Sequence, residues 1–191
     1  MSKPATQAIP ATSAERAPAL LRQVALVVGA SFFVALCARI TIPLPFTPVP
    51  LTMQNFGVLL VGLLLGSRRG FAALALYLAE GAFGLPVFNP TGIGGVAQLL
   101  GPTGGYLLAY PFVAAVAGFL SERGSRNFVR YALASVAGEI VLFACGLAWL
   151  DVLTHSFKLA VQYGLAVFLF AEVVKVMAAA GIANRFSRSR V

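Results

Sequence analysis

Two ionisable residues interrupt an otherwise apolar run, Val167-Phe168-Leu169-Phe170-Ala171-Glu172-Val173-Val174-Lys175. Glu172 and Lys175 are three apart, so on a helix they share one face, one turn from each other. An ionisable group inside a membrane span costs roughly 2.5–3.5 kcal/mol, so it turns toward protein rather than lipid. Opposite signs offset each other's desolvation. The pair is either a structural ion pair or a clamp for a ligand that carries both donors and acceptors. Glu80 and Glu139 also fall in apolar runs. Glu80 reads as an interfacial or partnered residue near a helix end, and Glu139 as a polar contact between helices.

No other chemistry is spelled out. Gly101-Pro102-Thr103-Gly104-Gly105-Tyr106 is Gly-rich but lacks the Lys and Ser/Thr of a phosphate loop. There is no nucleophile-and-base set for an intramembrane enzyme. The single histidine, His155, makes no metal site by itself. Cys37 and Cys145 lie in apolar runs without a CxxC spacing and read as small core residues. The pattern is that of a solute binder without an engine or a cofactor of its own.

The elements that hold these residues must be membrane helices. Of 191 residues, 59% are hydrophobic and 10% charged, and the mean hydropathy is +0.88. A soluble domain is about 25% charged. Such a chain is not a soluble enzyme, a disordered protein or a nucleic-acid-binding domain, despite its net charge of +8. Its solvent is a lipid bilayer. Six spans of about 20 residues take about 120 residues and leave only short connections.

The pattern predicts an all-α integral membrane protein, a bundle of six transmembrane helices. Residues 1–20, rich in Ala, Pro, Ser and Thr, read as a disordered cytoplasmic tail. The membrane domain covers 21–186, and 187–191 form a second cytoplasmic tail. The spans are placed at about 22–42, 51–65, 71–85, 103–120, 129–150 and 158–186. With both termini in the cytoplasm, Lys3, Arg16, Arg22, Arg68, Arg69, Arg123, Arg126, Arg130, Arg185, Arg188 and Arg190 all lie inside. Only Arg39 and Lys158 fall near the outer side, and Lys175 lies within the sixth span.

Two connections on the outer side are unusual. Pro43, Pro45, Pro48 and Pro50 forbid a helix between the first two spans. Residues 86–102 are Gly- and Pro-rich. Apolar irregular backbone near a membrane must be shielded by protein or line a cavity. The two loops are therefore expected to roof an outward-facing pocket. Small residues at packing spacing occur at Ala25/Gly29, Ser31/Ala35 and Gly62/Gly66.

Three long segments carry a family resemblance, in order. They are Ile42-Pro43-Leu44-Pro45-Phe46-Thr47-Pro48-Val49-Pro50-Leu51-Thr52-Met53-Gln54, Tyr77-Leu78-Ala79-Glu80-Gly81-Ala82-Phe83-Gly84-Leu85-Pro86-Val87-Phe88, and Gly101-Pro102-Thr103-Gly104-Gly105-Tyr106-Leu107-Leu108. The chain resembles the BioY family, the substrate-binding (S) subunits of energy-coupling-factor (ECF) biotin transporters. The resemblance implies biotin uptake across the cell membrane. It implies partners as well: a transmembrane coupling subunit and two ABC-type ATPases, which alone use ATP. It also implies a docking face on the first span, for which Ala25, Gly29, Ser31 and Ala35 are candidates although the strict Ala-x-x-x-Ala pattern is not kept.

For biotin, the resemblance implies that Glu172 accepts from a ureido N–H and that Lys175 donates to an oxygen. Asn89 would do both. Tyr106, Phe46 and Phe88 would cover the apolar rings. Backbone N–H groups of the Gly-rich loop would receive the carboxylate. One segment departs from the family. Where the family reads Pro-Phe-Leu-Pro-Gly-Asp, two residues and Lys, this chain has neither proline nor the glycine, and its acid is Glu172. A straighter sixth helix is expected, with a longer acid reaching into the pocket. An S subunit for another small vitamin-like solute is the alternative.

Overall fold

A computed structural model describes residues 13–188. Eight helices and one short ribbon form a bundle: α1 (Ser13–Arg39), β1 (Thr41–Ile42), β2 (Leu51–Thr52), α2 (Gln54–Leu65), α3 (Ser67–Ala82), α4 (Gly95–Leu100), α5 (Gly104–Glu122), α6 (Phe128–Thr154), α7 (Phe157–Val161) and α8 (Leu169–Arg188). A π-helical turn, Gln162–Ala166, joins α7 to α8.

The first helix starts earlier than the sequence suggests. Residues 13–20 are helical rather than part of a tail. Ala, Glu, Arg and Leu dominate this stretch and favour helix strongly enough to carry Pro18 inside it. The rest of the expected N-terminal tail, residues 1–12, and residues 189–191 lie outside the described residues. Ser187 and Arg188 extend α8 into the expected C-terminal tail.

Each expected span falls on helical structure, but lengths differ. Among the described residues, three helices are long and apolar enough to cross a membrane: 18–39 of α1, α5 and α6. A fourth crossing is made if the bent pair 157–166 and 169–187 counts as one. α2 has 12 residues, about 18 Å of rise, short of a hydrocarbon core of about 30 Å. Helices α2 and α3 meet at Gly66, whose φ of 82° suits a residue without a Cβ.

The core lies where α5 packs on α6, α3 and α2. Close approach is set by small residues. A Cβ on Gly62 would sit 2.6 Å from the Ala114 carbonyl oxygen, so Gly62 brings the α2 and α5 backbones together. Large apolar side chains cover the outside, among them Phe32, Leu133, Ile140 and Phe170. With water outside, that surface would be unfavourable; with lipid it is the expected coat. The chain is a membrane protein. Cys37 is buried, whereas Cys145 is exposed, contrary to the expectation that both are core residues.

The two unusual loops are more ordered than expected. β1 and β2 pair antiparallel, Thr41 with Thr52 and Ile42 with Leu51, and pinch off the Pro-rich loop at its base. The fold is thus all-α apart from this ribbon. The Gly-rich loop contains α4, one short helix the sequence pattern hides among glycines.

Candidate binding site

The sixth span does not run straight. It bends by 45° between 157–166 and 169–187, just before Glu172. The prolines and glycine expected to bend it are absent, and the π turn does so instead. A π turn frees carbonyls from the regular ladder, and buried carbonyls need donors. Two side chains supply them. Tyr106 Oη donates to the Gly164 carbonyl at 2.9 Å, and Thr47 Oγ1 donates to the Tyr163 carbonyl at 2.8 Å. The Tyr106 ring lies against Gly146, and its hydroxyl against Gly164. A Cβ at either glycine would collide with the tyrosine.

The bend aims Glu172 and Lys175 into a cavity under the two loops. Val49, Pro50, Asn89, Tyr106, Phe143 and Phe168 line it, and Gln54, Asn55, Glu172 and Lys175 add polar groups. Lys175 Nζ donates to Glu172 Oε1 at 2.7 Å, and both side chains are buried. The sequence leaves open a structural pair or a ligand clamp. The geometry allows both at once: the pair is formed, and it lines the cavity.

The network extends beyond this pair. Asn55 Nδ2 donates to Glu172 Oε2 at 2.7 Å and to Glu139 Oε1 at 2.6 Å. One amide from α2 thus bridges carboxylates on α6 and α8. Sequence reasoning gave Glu139 a role between helices, and here that role is visible. It missed Asn55, because an Asn beside Gln54 at the start of a helix reads as a cap or loop residue. The signal was its place inside an apolar span with two acids needing donors.

Asn89 is buried and lines the cavity. Its Oδ1 accepts from Thr91 Oγ1 at 2.7 Å. Phe88 is not in the cavity wall. It packs edge-on against Tyr77, ring centroids 5.5 Å apart, and lies beneath Gly81, where a Cβ would strike its ring. Tyr77 Oη donates to the Val87 carbonyl at 2.9 Å and accepts from Gln54 Nε2. Phe88 and Tyr77 anchor the loop that presents Asn89. Phe46 sits on the Pro-rich loop and is 58% exposed, outside the cavity. Pro45 precedes it and fixes its own φ there.

Several glycine N–H groups of the Gly-rich loop and its junction with α5 have partners within the protein. Gly94 N–H is held by Gln98 Oε1 at 3.1 Å. The N–H groups of Gly92, Gly101 and Gly104 go to the carbonyls of Asn89, Gln98 and Gly101. Gly104 and Gly105 serve packing: a Cβ on Gly105 would lie 2.6 Å from the Cys145 carbonyl oxygen. The four glycine N–H groups of Gly92, Gly94, Gly101 and Gly104 are therefore engaged within the protein.

The four candidate docking residues divide between two faces. Ala25 and Gly29 are exposed and line an apolar groove with Leu60, Leu64 and Phe186. Ser31 and Ala35 are buried, and Ser31 Oγ donates to Glu80 Oε2. Helical residues two apart point about 200° away from each other, so Gly29 and Ser31 cannot share a face.

A family model described as the BioY family matches residues 6–190. The chain belongs to the BioY family. It is 38% identical over 150 residues to a protein of Thermotoga maritima named biotin transporter BioY, covering 78% of this chain and 88% of that one. It is 41% identical over 138 residues to a probable biotin transporter BioY of Pyrococcus horikoshii, covering 72% and 80%. Among solved structures it resembles the S-component for biotin from an ECF-type ABC transporter, with a TM-score of 0.81 at 27% identity, over 93% of this chain and 95% of the other.

Proposed function

We propose that this chain is the biotin-binding S subunit of an ECF-type transporter and acts in biotin uptake, not as an enzyme. The observation that carries this reading is the buried Glu172–Lys175 pair opening into a cavity beneath Asn89. Biotin has a ureido ring with two N–H donors and one carbonyl, an apolar ring and chain, and a carboxylate. Glu172 and Lys175 match the ureido group, Asn89 matches an acceptor or donor nearer the loops, and Tyr106 and Phe143 match the apolar body. A hydrogen bond to a charged group is worth about 1.5–3 kcal/mol, so a few of them in a dry site supply much of a tight affinity.

The chain crosses the membrane six times in this reading, with α2 and α3 as short crossings and α7, the π turn and α8 as one. Both termini are cytoplasmic, as the placement of the arginines supports. Substrate enters from outside, between the loops. A transmembrane coupling subunit and two ABC-type ATPases complete the transporter, and the groove containing Ala25 and Gly29 is the surface for the coupling subunit. The deciding experiment is equilibrium binding of biotin to the purified, detergent-solubilised chain. Tight saturable binding is expected; none would reject the reading.

A second reading, an S subunit for another small vitamin-like solute, is favoured by one observation. The sixth span lacks both prolines and the glycine of the resembled pattern, and its acid is Glu172 rather than Asp, so a longer side chain reaches into the cavity. Competition by other vitamins against labelled biotin separates the two.

A further inference from the structure

Asn55 is 4% exposed and lines the cavity floor. A neutral side-chain amide has two hydrogens on nitrogen and an acceptor oxygen. Both hydrogens are committed, one to Glu139 Oε1 at 2.6 Å and one to Glu172 Oε2 at 2.7 Å. Glu172, ion-paired with Lys175, only accepts, so the nitrogen must face it. The amide cannot flip without setting its oxygen against Glu172 Oε2. Its Oδ1 is thereby left over. That atom is buried, with no hydrogen-bond partner among the described residues. Buried polar atoms are nearly always paired, and an orphan in a cavity wall points to a group that arrives later.

Glu172 is less available than its charge suggests. Lys175 holds Oε1, and Asn55 holds Oε2. A ligand N–H that reaches this floor finds one buried acceptor atom wholly unengaged on a cavity-lining residue, Asn55 Oδ1. We propose that Asn55 is a substrate-binding residue whose Oδ1 accepts an N–H of a cyclic urea or amide, and that Glu139 is a positioning residue that locks the amide in this orientation. This rests on biotin as substrate, and it adds one specific contact to that reading. It also gives a reason for a carboxylate on α6 that touches neither the cavity nor a cation.

The test pairs variants with ligands. The probes are biotin and two cyclic-carbamate analogues in which one or the other ureido N–H is replaced by oxygen, so a donor is lost without added bulk. The wild-type chain should bind one carbamate about tenfold more weakly than biotin. Asn55→Ala should bind biotin about tenfold more weakly and no longer distinguish it from that carbamate, while its affinity for the carbamate stays near the wild-type value. That last constancy shows the variant is folded. Glu139→Leu should lose most of the discrimination, and Glu139→Gln, which keeps an acceptor for the Asn55 amide, should retain it. Undiminished discrimination in Asn55→Ala would overturn the contact. Undiminished discrimination in Glu139→Leu would overturn the positioning role. A wild-type chain that does not bind biotin at all would overturn the proposed substrate and this assignment with it, a result distinct from the other two.

Discussion

The hydroxyl of Tyr106 on α5 donates across 2.9 Å to the carbonyl of Gly164 in the π turn. This one bond joins the third of the resembling segments to the bend that aims the polar pair. It gives Tyr106 a second task beside lining the cavity: its hydroxyl holds the π turn. Removing the hydroxyl leaves a buried carbonyl without its donor, at a cost of about 1–3 kcal/mol. Tyr106→Phe should therefore lower the thermal unfolding temperature in detergent and weaken biotin binding several-fold. Gly164→Ala should do worse, because its Cβ would meet the tyrosine oxygen. Wild-type melting in both variants would show that the bend does not depend on this contact.

The ion pair is expected to matter twice. Lys175→Ala leaves Glu172 buried without its cation, a change worth about 3–5 kcal/mol in the stability of buried pairs. Glu172→Gln keeps the shape and removes the charge. Each single change, and Asn89→Ala, should weaken biotin binding by about tenfold or more, equal to about 1.4 kcal/mol. The double variant Glu172→Gln with Lys175→Met should recover stability but not affinity. Calorimetry and a melting curve on the same samples separate the two effects. Unchanged affinity in all three single variants would remove the site from this cavity.

Thr47 ties the Pro-rich loop to the sixth span through the Tyr163 carbonyl at 2.8 Å and receives the Val49 N–H at 3.2 Å. Thr47→Val keeps the shape and loses both contacts. The loop should then close less well over bound ligand. Stopped-flow measurement is expected to show biotin dissociating several-fold faster, with a smaller change in association, since most affinity changes within one site appear in the off-rate. An unaltered dissociation rate would mean that the hydroxyl is not a latch.

The physics of single residues explains what the sequence made legible. Glu172 and Lys175 were visible because charge in an apolar run is costly and their spacing fixes a shared face. The membrane class was visible for the same reason at the scale of the whole chain. The bend at 162–166 was not, because a π turn has no proline or glycine rule; it depends on Tyr106 and Thr47 arriving from distant segments to satisfy freed carbonyls. Asn55 stayed hidden because its meaning comes from Glu139 and Glu172, 84 and 117 residues away. Phe46 and Phe88 share a residue type, yet one is exposed on the Pro-rich loop and the other is packed under Gly81. Residue type alone does not separate them.

Orientation follows from the arginines and can be checked directly. Arg68 and Arg69 at the α2–α3 turn, Arg123, Arg126 and Arg130 between α5 and α6, and Arg185 near the end of α8 are all cytoplasmic in the proposed topology. A fluorescent protein fused after residue 191 should fold and fluoresce, whereas a periplasmic phosphatase fused there should be inactive. The reverse pattern would reject six crossings with both termini inside.

The first helix carries two faces, and they predict opposite outcomes. Ala25 and Gly29 line an open apolar groove beside Leu60, Leu64 and Phe186, and a Cβ on Gly29 would meet nothing within 4 Å. Large side chains there do not disturb the bundle, but they fill the space that a closely packed partner helix would use. Ala25→Leu and Gly29→Leu should thus keep wild-type melting and biotin affinity while losing co-purification with a coupling subunit. Ala35 is buried on the other face, where overpacking costs about 1–3 kcal/mol. Ala35→Leu should lower stability and biotin binding together, and reduce co-purification only as far as folded protein is lost. If Gly29→Leu instead behaved like Ala35→Leu, the groove would be part of the fold rather than a docking surface. If both groove variants still assembled normally, the coupling subunit would have to bind elsewhere on the bundle.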